Sequence, residues 1–144
     1  MKTPPNSIMV KRYRAGMGKV VGRMMLLLTT TWRKSGNPHT VCVQYELMYS
    51  RFYIGTAFGE KCDWYKNLKA DPHVTIEVGR RTFNGTAEVL AGEGKIADYL
   101  TCRLKKHPLM VGMIMKMDGC SFRPGRTELL EYASRIGVAV ITPD

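Results

Sequence analysis

The sequence predicts an α+β chain that is mainly β, a small antiparallel barrel with helices covering its open ends. Consecutive stretches between Met24 and Phe58 read as strands joined by turns too short for a parallel crossover. That run of strands is interrupted once by a short helix and then resumes, which suits a barrel better than alternating βα units. No G-x-G-x-x-G stands between a strand and a helix, which disfavours a doubly wound dinucleotide fold. At 144 residues the chain reads as a single domain, 1–144, with a basic helical segment at about 1–22. A chain of that length buries roughly 70% of the surface its unfolded form exposes, so it needs no disulfides to fold.

The elements follow in order. Residues 7–21, SIMVKRYRAGMGKVV, have amphipathic helical spacing weakened by Gly16 and Gly18. Met24 to Thr31 is apolar and ends in three β-branched threonines, a buried strand. RKSGNP supplies a turn, and HTVCVQYEL, residues 39–47, reads as the returning strand of a hairpin. RFYIGTAF is a third strand, broken at Gly59. Asp63 is placed to cap a short helix, WYKNLKA, which must stop before Asp71-Pro72 because the residue before proline resists the helical region. HVTIEV alternates as a strand. A turn at Gly79 to Arg81 leads to TFNGTAEVLA, where Gly85 marks a bulge or a close backbone approach. Residues 93–106 form a helix whose last turn is basic and which proline ends. A Met-rich helix over HPLMVGMIMKM, another over Thr127 to Ser134, and a last strand IGVAVIT complete the chain.

Composition narrows the function classes. Lys and Arg exceed Asp and Glu by ten. Lys2, Lys11, Arg12, Arg14, Lys19, Arg23, Arg33 and Lys34 all precede the first acidic residue, Glu46. Such a basic third reads either as a solvated surface or as a binder of nucleic acid, an anionic membrane surface or a small polyanion. Nucleic-acid binding is not expected, because the aromatic-rich stretches lie elsewhere, amid apolar residues. The apolar run MMLLL is too short for a leader or a membrane span, so the expectation is a cytoplasmic chain without stable membrane insertion, compatible with peripheral contact. Cys42, Cys62, Cys102 and Cys120 form no C-x-x-C pair and read as buried structural thiols rather than a metal or redox site. The three histidines are widely spaced, and no catalytic triad or carboxylate pair is visible.

Two motifs carry a resemblance that covers nearly the whole chain. LLLTTTWRKSGNPHT and, after the third strand, GEKCDWYKNLKADPHVTIEVGRRTF resemble the deazaflavin-dependent nitroreductase family. That resemblance implies a split β-barrel of the FMN-binding type, with antiparallel strands and flanking helices. It also implies hydride transfer from the reduced deazaflavin coenzyme F-420 to a small organic acceptor: a quinone, a nitro compound or an enone. The coenzyme carries a phosphodiester and a glutamate tail, which gives the basic third a polyanionic ligand.

In the family the R-K-S turn lies at the phosphate, so the resemblance puts Arg33, Lys34 and Ser35 there, with His39 and Thr40 closing the motif. Arg grips phosphate through two parallel bonds, and Lys adds a mobile charge. Lys61 lies before the second motif's helix, where Asp63, Trp64, Tyr65 and Asn67 face the coenzyme by resemblance, although Trp64 also reads as plain core. Gly55, Thr56 and Ala57 match positions beneath the ring, where small residues admit a flat ligand. Three departures stand out: Trp32 where glycine is common, His39 where arginine is frequent, and Cys42 where proline is usual. Met113, Met115 and Met117 read as core or as lining of an acceptor pocket, and a proton could come from Tyr45, Tyr65 or water. FMN remains the alternative cofactor, a basic nucleic-acid or membrane-surface module the distant alternative, and a homodimer paired through a sheet face a compatible assembly.

Overall fold

A computed structural model describes residues 6–17, 25–56 and 61–144. Seven strands, β1 (Met25–Thr31), β2 (Pro38–Gln44), β3 (Glu46–Met48), β4 (Arg51–Thr56), β5 (His73–Val78), β6 (Arg81–Val89) and β7 (Gly137–Pro143), form one sheet in the order β2-β1-β5-β6-β7-β4-β3. Every pairing is antiparallel. The helices are α1 (Asn6–Arg12), α2 (Asp63–Ala70), α3 (Glu93–Lys106), α4 (Pro108–Met117) and α5 (Arg126–Ala133).

β2 and β3 lie at opposite ends of the sheet, yet only Tyr45 separates them in the chain. The sheet therefore curls until its edges nearly meet, a barrel left split. The single returning strand expected over 39–47 is thus two strands: it pairs with β1 as far as Gln44 and with β4 from Glu46. A straight strand could not serve both ends of a curled sheet, so the chain breaks at the corner. β3 and β4 are joined by Tyr49 and Ser50, both in the left-handed region (φ 53° and 60°), which is the two-residue turn that matches strand twist.

The barrel interior is filled by Leu26, Leu28, Ile54, Ile76 and Ile141, with Trp64, Tyr65 and Leu68 of α2 plugging one mouth. A second core lies outside β7, where Val138 packs against Tyr99, Leu100, Met115 and Leu129 of the helical layer. β7 is buried from Gly137 to Ile141 because both of its faces are covered, hence its unbroken apolar run. Gly85 is a close approach, since a Cβ there would lie 2.8 Å from Ile141 Cγ2 and 3.0 Å from the Thr142 carbonyl oxygen.

At the N-terminal end, α1 stops at Arg12 and a π-type turn, Tyr13–Met17, follows, with Gly16 at φ 132°. Residues 18–21 of the expected helix lie outside the described residues, as do Met24, Ala57, Phe58 and Gly59. Tyr13 fastens this segment: its hydroxyl donates to the Met25 carbonyl (3.0 Å) and accepts from the Gly79 N–H (2.9 Å). Three further expectations are corrected. The four cysteines, expected to be mostly buried, are free and only half-buried. Met113 and Met117 are exposed on the outer side of α4, and only Met115 turns inward. Asp63 is the first residue of α2 rather than its cap, because Cys62 holds the extended capping position, without a side-chain bond.

Candidate functional site

The β1–β2 hairpin ends in a turn locked by its own backbone. The Trp32 N–H donates to the Asn37 carbonyl and the Gly36 N–H to the Trp32 carbonyl, each at 2.7 Å. Gly36 sits at φ 77°, a conformation that favours glycine. Ser35 Oγ accepts from the Asn37 N–H at 3.3 Å, so this hydroxyl braces the turn. At its base Trp32 stacks on His39, with ring centroids 5.1 Å apart and planes within 9°. The Arg33 guanidinium lies 4.9 Å from the Trp32 ring centroid.

Arg33 ties this turn to α2. Its Nη1 donates to Asn67 Oδ1 at 2.7 Å, its backbone N–H reaches the same oxygen at 3.3 Å, and its Nη2 meets Asp63 Oδ1 at 3.2 Å. Asn67 is fully buried and its Nδ2 donates to Thr30 Oγ1 at 3.3 Å, so both ends of its amide are engaged inside the protein. Trp64 and Tyr65 are core residues too: the Tyr65 ring fills the space where a Cβ on Gly137 would stand, 2.8 Å from its Cζ. Gly137 is the β-partner of Thr56, so α2 braces the end of β4 through β7.

The residues expected to hold an anion thus divide. Lys34, Ser35 and Lys61 are exposed around the turn and the start of α2. Arg33, Asp63 and Asn67 form the joint beneath them. His39 and Thr40 are half-buried on β2, His39 in the stack and Thr40 sharing a hydrogen bond with Thr29 (2.8 Å). Gly55 is exposed and Thr56 buried on β4; Ala57 lies outside the described residues.

Other candidate residues escaped the sequence reading. A cavity of about 220 Å³ has Gly55 and Thr56 on one side and Tyr99, Arg103, Met115 and Tyr132 on another. A larger one, about 540 Å³, lies beside it, lined among others by Tyr45, Glu46, Lys106 and His107, and the two share Gln44 and Arg103. Burial raises the Tyr99 hydroxyl's pKa, partly offset by the Arg103 charge and hydrogen bond. Tyr132 donates to Asp118 Oδ2 at 2.6 Å, and burial followed by that carboxylate pushes its pKa well up. Arg103 and Glu46 lie far apart in sequence in no motif, so no local pattern marks them.

Residues 6–109 match the family described as F420H(2)-dependent quinone reductase. A curated F420H(2)-dependent quinone reductase of Mycobacterium tuberculosis is 34% identical over 84 residues, 53% of this chain and 56% of its own length, so the match spans little more than half of that relative. Among solved structures, an F420-H2 dependent reductase (FDR-A) superposes with a TM-score of 0.55 at 22% identity, covering 83% of this chain and 94% of its own. A pyridoxamine 5'-phosphate oxidase-related, FMN-binding protein from Nostoc punctiforme gives 0.57 at 11% identity, covering 99% and 81%. These likenesses show the fold, the split β-barrel of the FMN-binding type. Among the described residues, no helix is long and apolar enough to cross a membrane.

Proposed function

The chain belongs to the F420H(2)-dependent quinone reductase family, and on that premise we propose that it is an oxidoreductase binding coenzyme F-420 and passing a hydride to a quinone-type acceptor. The observation that carries this reading is the build of the R-K-S turn: a rigid hairpin end with Lys34, Ser35 and nearby Lys61 exposed, pinned from below by Arg33 and Asn67. A phosphate and a polyanionic tail need several cations along an extended surface, and the first 45 residues carry eight and no carboxylate. Gly55 is exposed on β4, where the Tyr99 hydroxyl lies 3.5 Å from the position of an added Cβ.

When bound, the deazaflavin would supply the two-electron hydride chemistry. This chain's residues do the rest. Lys34, Lys61 and the turn would hold its anionic portion, and Gly55 and Thr56 of β4 would stand beside its ring, with the partly apolar lining next to them shielding the reacting partners.

The test is a fluorescence titration of F-420, with FMN in parallel, on the wild type and Lys34→Ala. Micromolar or tighter F-420 binding that weakens with salt, falls roughly fivefold or more in Lys34→Ala and exceeds FMN binding supports the reading. FMN binding without F-420 binding would transfer the site to the flavin, and binding of neither would end the proposal.

A further inference from the structure

We propose that Arg103 receives the acceptor's oxygen, standing in the wall shared by the two cavities so that a quinone between it and β4 has its developing negative charge met by a guanidinium. The inference rests on the hydride-transfer reading above. Arg103 lies in the last turns of α3 with its side chain 14% exposed, and its Nε is buried without a hydrogen-bond partner. That nitrogen is closed to both cavities, so an acceptor oxygen would meet the terminal guanidinium nitrogens, on the side chain that also hydrogen-bonds the Tyr99 hydroxyl.

Glu46 does not neutralise this guanidinium by a hydrogen bond through Nε. Arg103 Nε stands 3.6 Å from Glu46 Oε2, beyond hydrogen-bond length. The same carboxylate is closer to Lys106 Nζ (3.2 Å) and His107 Nε2 (3.4 Å). One buried carboxylate thus faces two permanent cations and an imidazole, and the cluster keeps an excess of positive charge beside open space. The cavity toward β4 adds apolar Val111, Ile114, Met115 and Ile136, and its one carboxylate, Asp118, is engaged by the Tyr132 hydroxyl at 2.6 Å, which leaves room for an aromatic ring with its polar end toward Arg103.

The chemistry needs such a donor. A quinone that takes a hydride from the reduced deazaflavin gains two electrons and one proton, and becomes a hydroquinone monoanion. The second proton then comes from solvent. The charge appears on a ring oxygen, and a fixed guanidinium aimed at that place stabilises it without reorganisation.

The probe is a hydroxylated 1,4-naphthoquinone whose oxygen is ionised at neutral pH, its binding read by equilibrium dialysis, with F-420 titrated in parallel on every variant. Arg103→Gln should weaken naphthoquinone binding at least tenfold and leave F-420 affinity within about twofold, and Arg103→Lys should restore part of the loss. Glu46→Gln should tighten naphthoquinone binding about threefold, because it removes the opposing charge, whereas a purely structural ion pair expects no gain. In turnover, Arg103→Gln should lower kcat more than it raises KM. Unchanged naphthoquinone binding in folded Arg103→Gln overturns the inference, as does weaker or unchanged binding in Glu46→Gln, which decides the matter if Arg103→Gln fails to fold. Loss of F-420 binding by the wild type would sink the parent reading, whereas F-420 binding without naphthoquinone binding sinks only this inference.

Discussion

Replacing Asn67 with alanine should release the R-K-S turn from α2. The Arg33 Nη1 bond to Asn67 Oδ1, at 2.7 Å, has a charged donor. Such bonds contribute about 1.5–3 kcal/mol, and partial exposure of the guanidinium, 23%, puts this one toward the lower end. The Arg33 N–H and Thr30 bonds, both 3.3 Å, are neutral and long, worth about 0.5 kcal/mol each. The loss comes to roughly 3 kcal/mol, or about 6–12 °C in melting temperature for a domain near this size. Coenzyme affinity should fall about tenfold, although Asn67 has no exposed atom to offer a ligand. Thermal melts and F-420 titrations of Asn67→Ala, Arg33→Ala and the double variant provide the assay. A residue that works by holding Arg33 makes the two changes non-additive, by about 1 kcal/mol or more. Additive losses in affinity, or a melting temperature within about 2 °C of wild type, would refute the reasoning.

Asp63→Asn should raise F-420 affinity a few-fold at low salt, because it removes a carboxylate 3.2 Å from Arg33; a gain that persists in about 0.5 M salt would contradict the electrostatic cause. Gly137→Ala should cost about 1–3 kcal/mol in urea unfolding, since the new Cβ would stand 2.8 Å from Tyr65 Cζ with a ring that cannot yield; wild-type stability would show that the ring moves freely. The Tyr132 hydroxyl is held protonated by burial and by Asp118. Its raised folded pKa means that the contribution is full below the ordinary tyrosine value near 10 and is lost as pH rises above it, at about 1.4 kcal/mol per pH unit. Unfolding free energies measured from pH 9 to 11 should therefore fall less steeply in Tyr132→Phe, and equal slopes would rule out the shift.

The fold was most legible where a residue acts through its own backbone. Pro108 separates α3 from α4 and Asp71-Pro72 ends α2, so those boundaries agree with the sequence reading. The break at Tyr45 was not legible, because alternation continues through it and the need for it arises only when β3 must reach β4. Nor was the turn at Tyr49-Ser50, which lacks the Asn-Gly chemistry that announces such a hairpin. In the site, the cations of the turn could be read as anion-binding only through the family resemblance, since R-K-S-G by itself reads better as a solvated hairpin end. The inward direction of Asn67 could not, since Trp64, Tyr65, Asn67 and Leu68 are all buried, a face broader than the spacing of Trp64 and Leu68 suggests. Helical periodicity gives a direction, but the width of the buried face depends on the barrel mouth it fills.

The departures at positions 32 and 39 can be understood as one change. Glycine is favoured where the backbone enters the left-handed region, and in this hairpin that position is Gly36 rather than position 32; among the described residues only Tyr49 and Ser50 adopt positive φ without being glycine. Position 32 is therefore open to a side chain. An indole there can stack on a flat residue across the hairpin, and His39 is flat where a flexible arginine would be harder to fix. The stack is worth about 0.5–1.5 kcal/mol and the adjoining cation–π contact with Arg33 about 0.5–1 kcal/mol. Together they orient the guanidinium that Asn67 receives. The hairpin thus exchanges a permanent charge at position 39 for a rigid wall behind Arg33. In the proposed binding mode, attraction for a phosphate would then fall more heavily on Lys34 and Lys61, whose exposure would make it sensitive to salt.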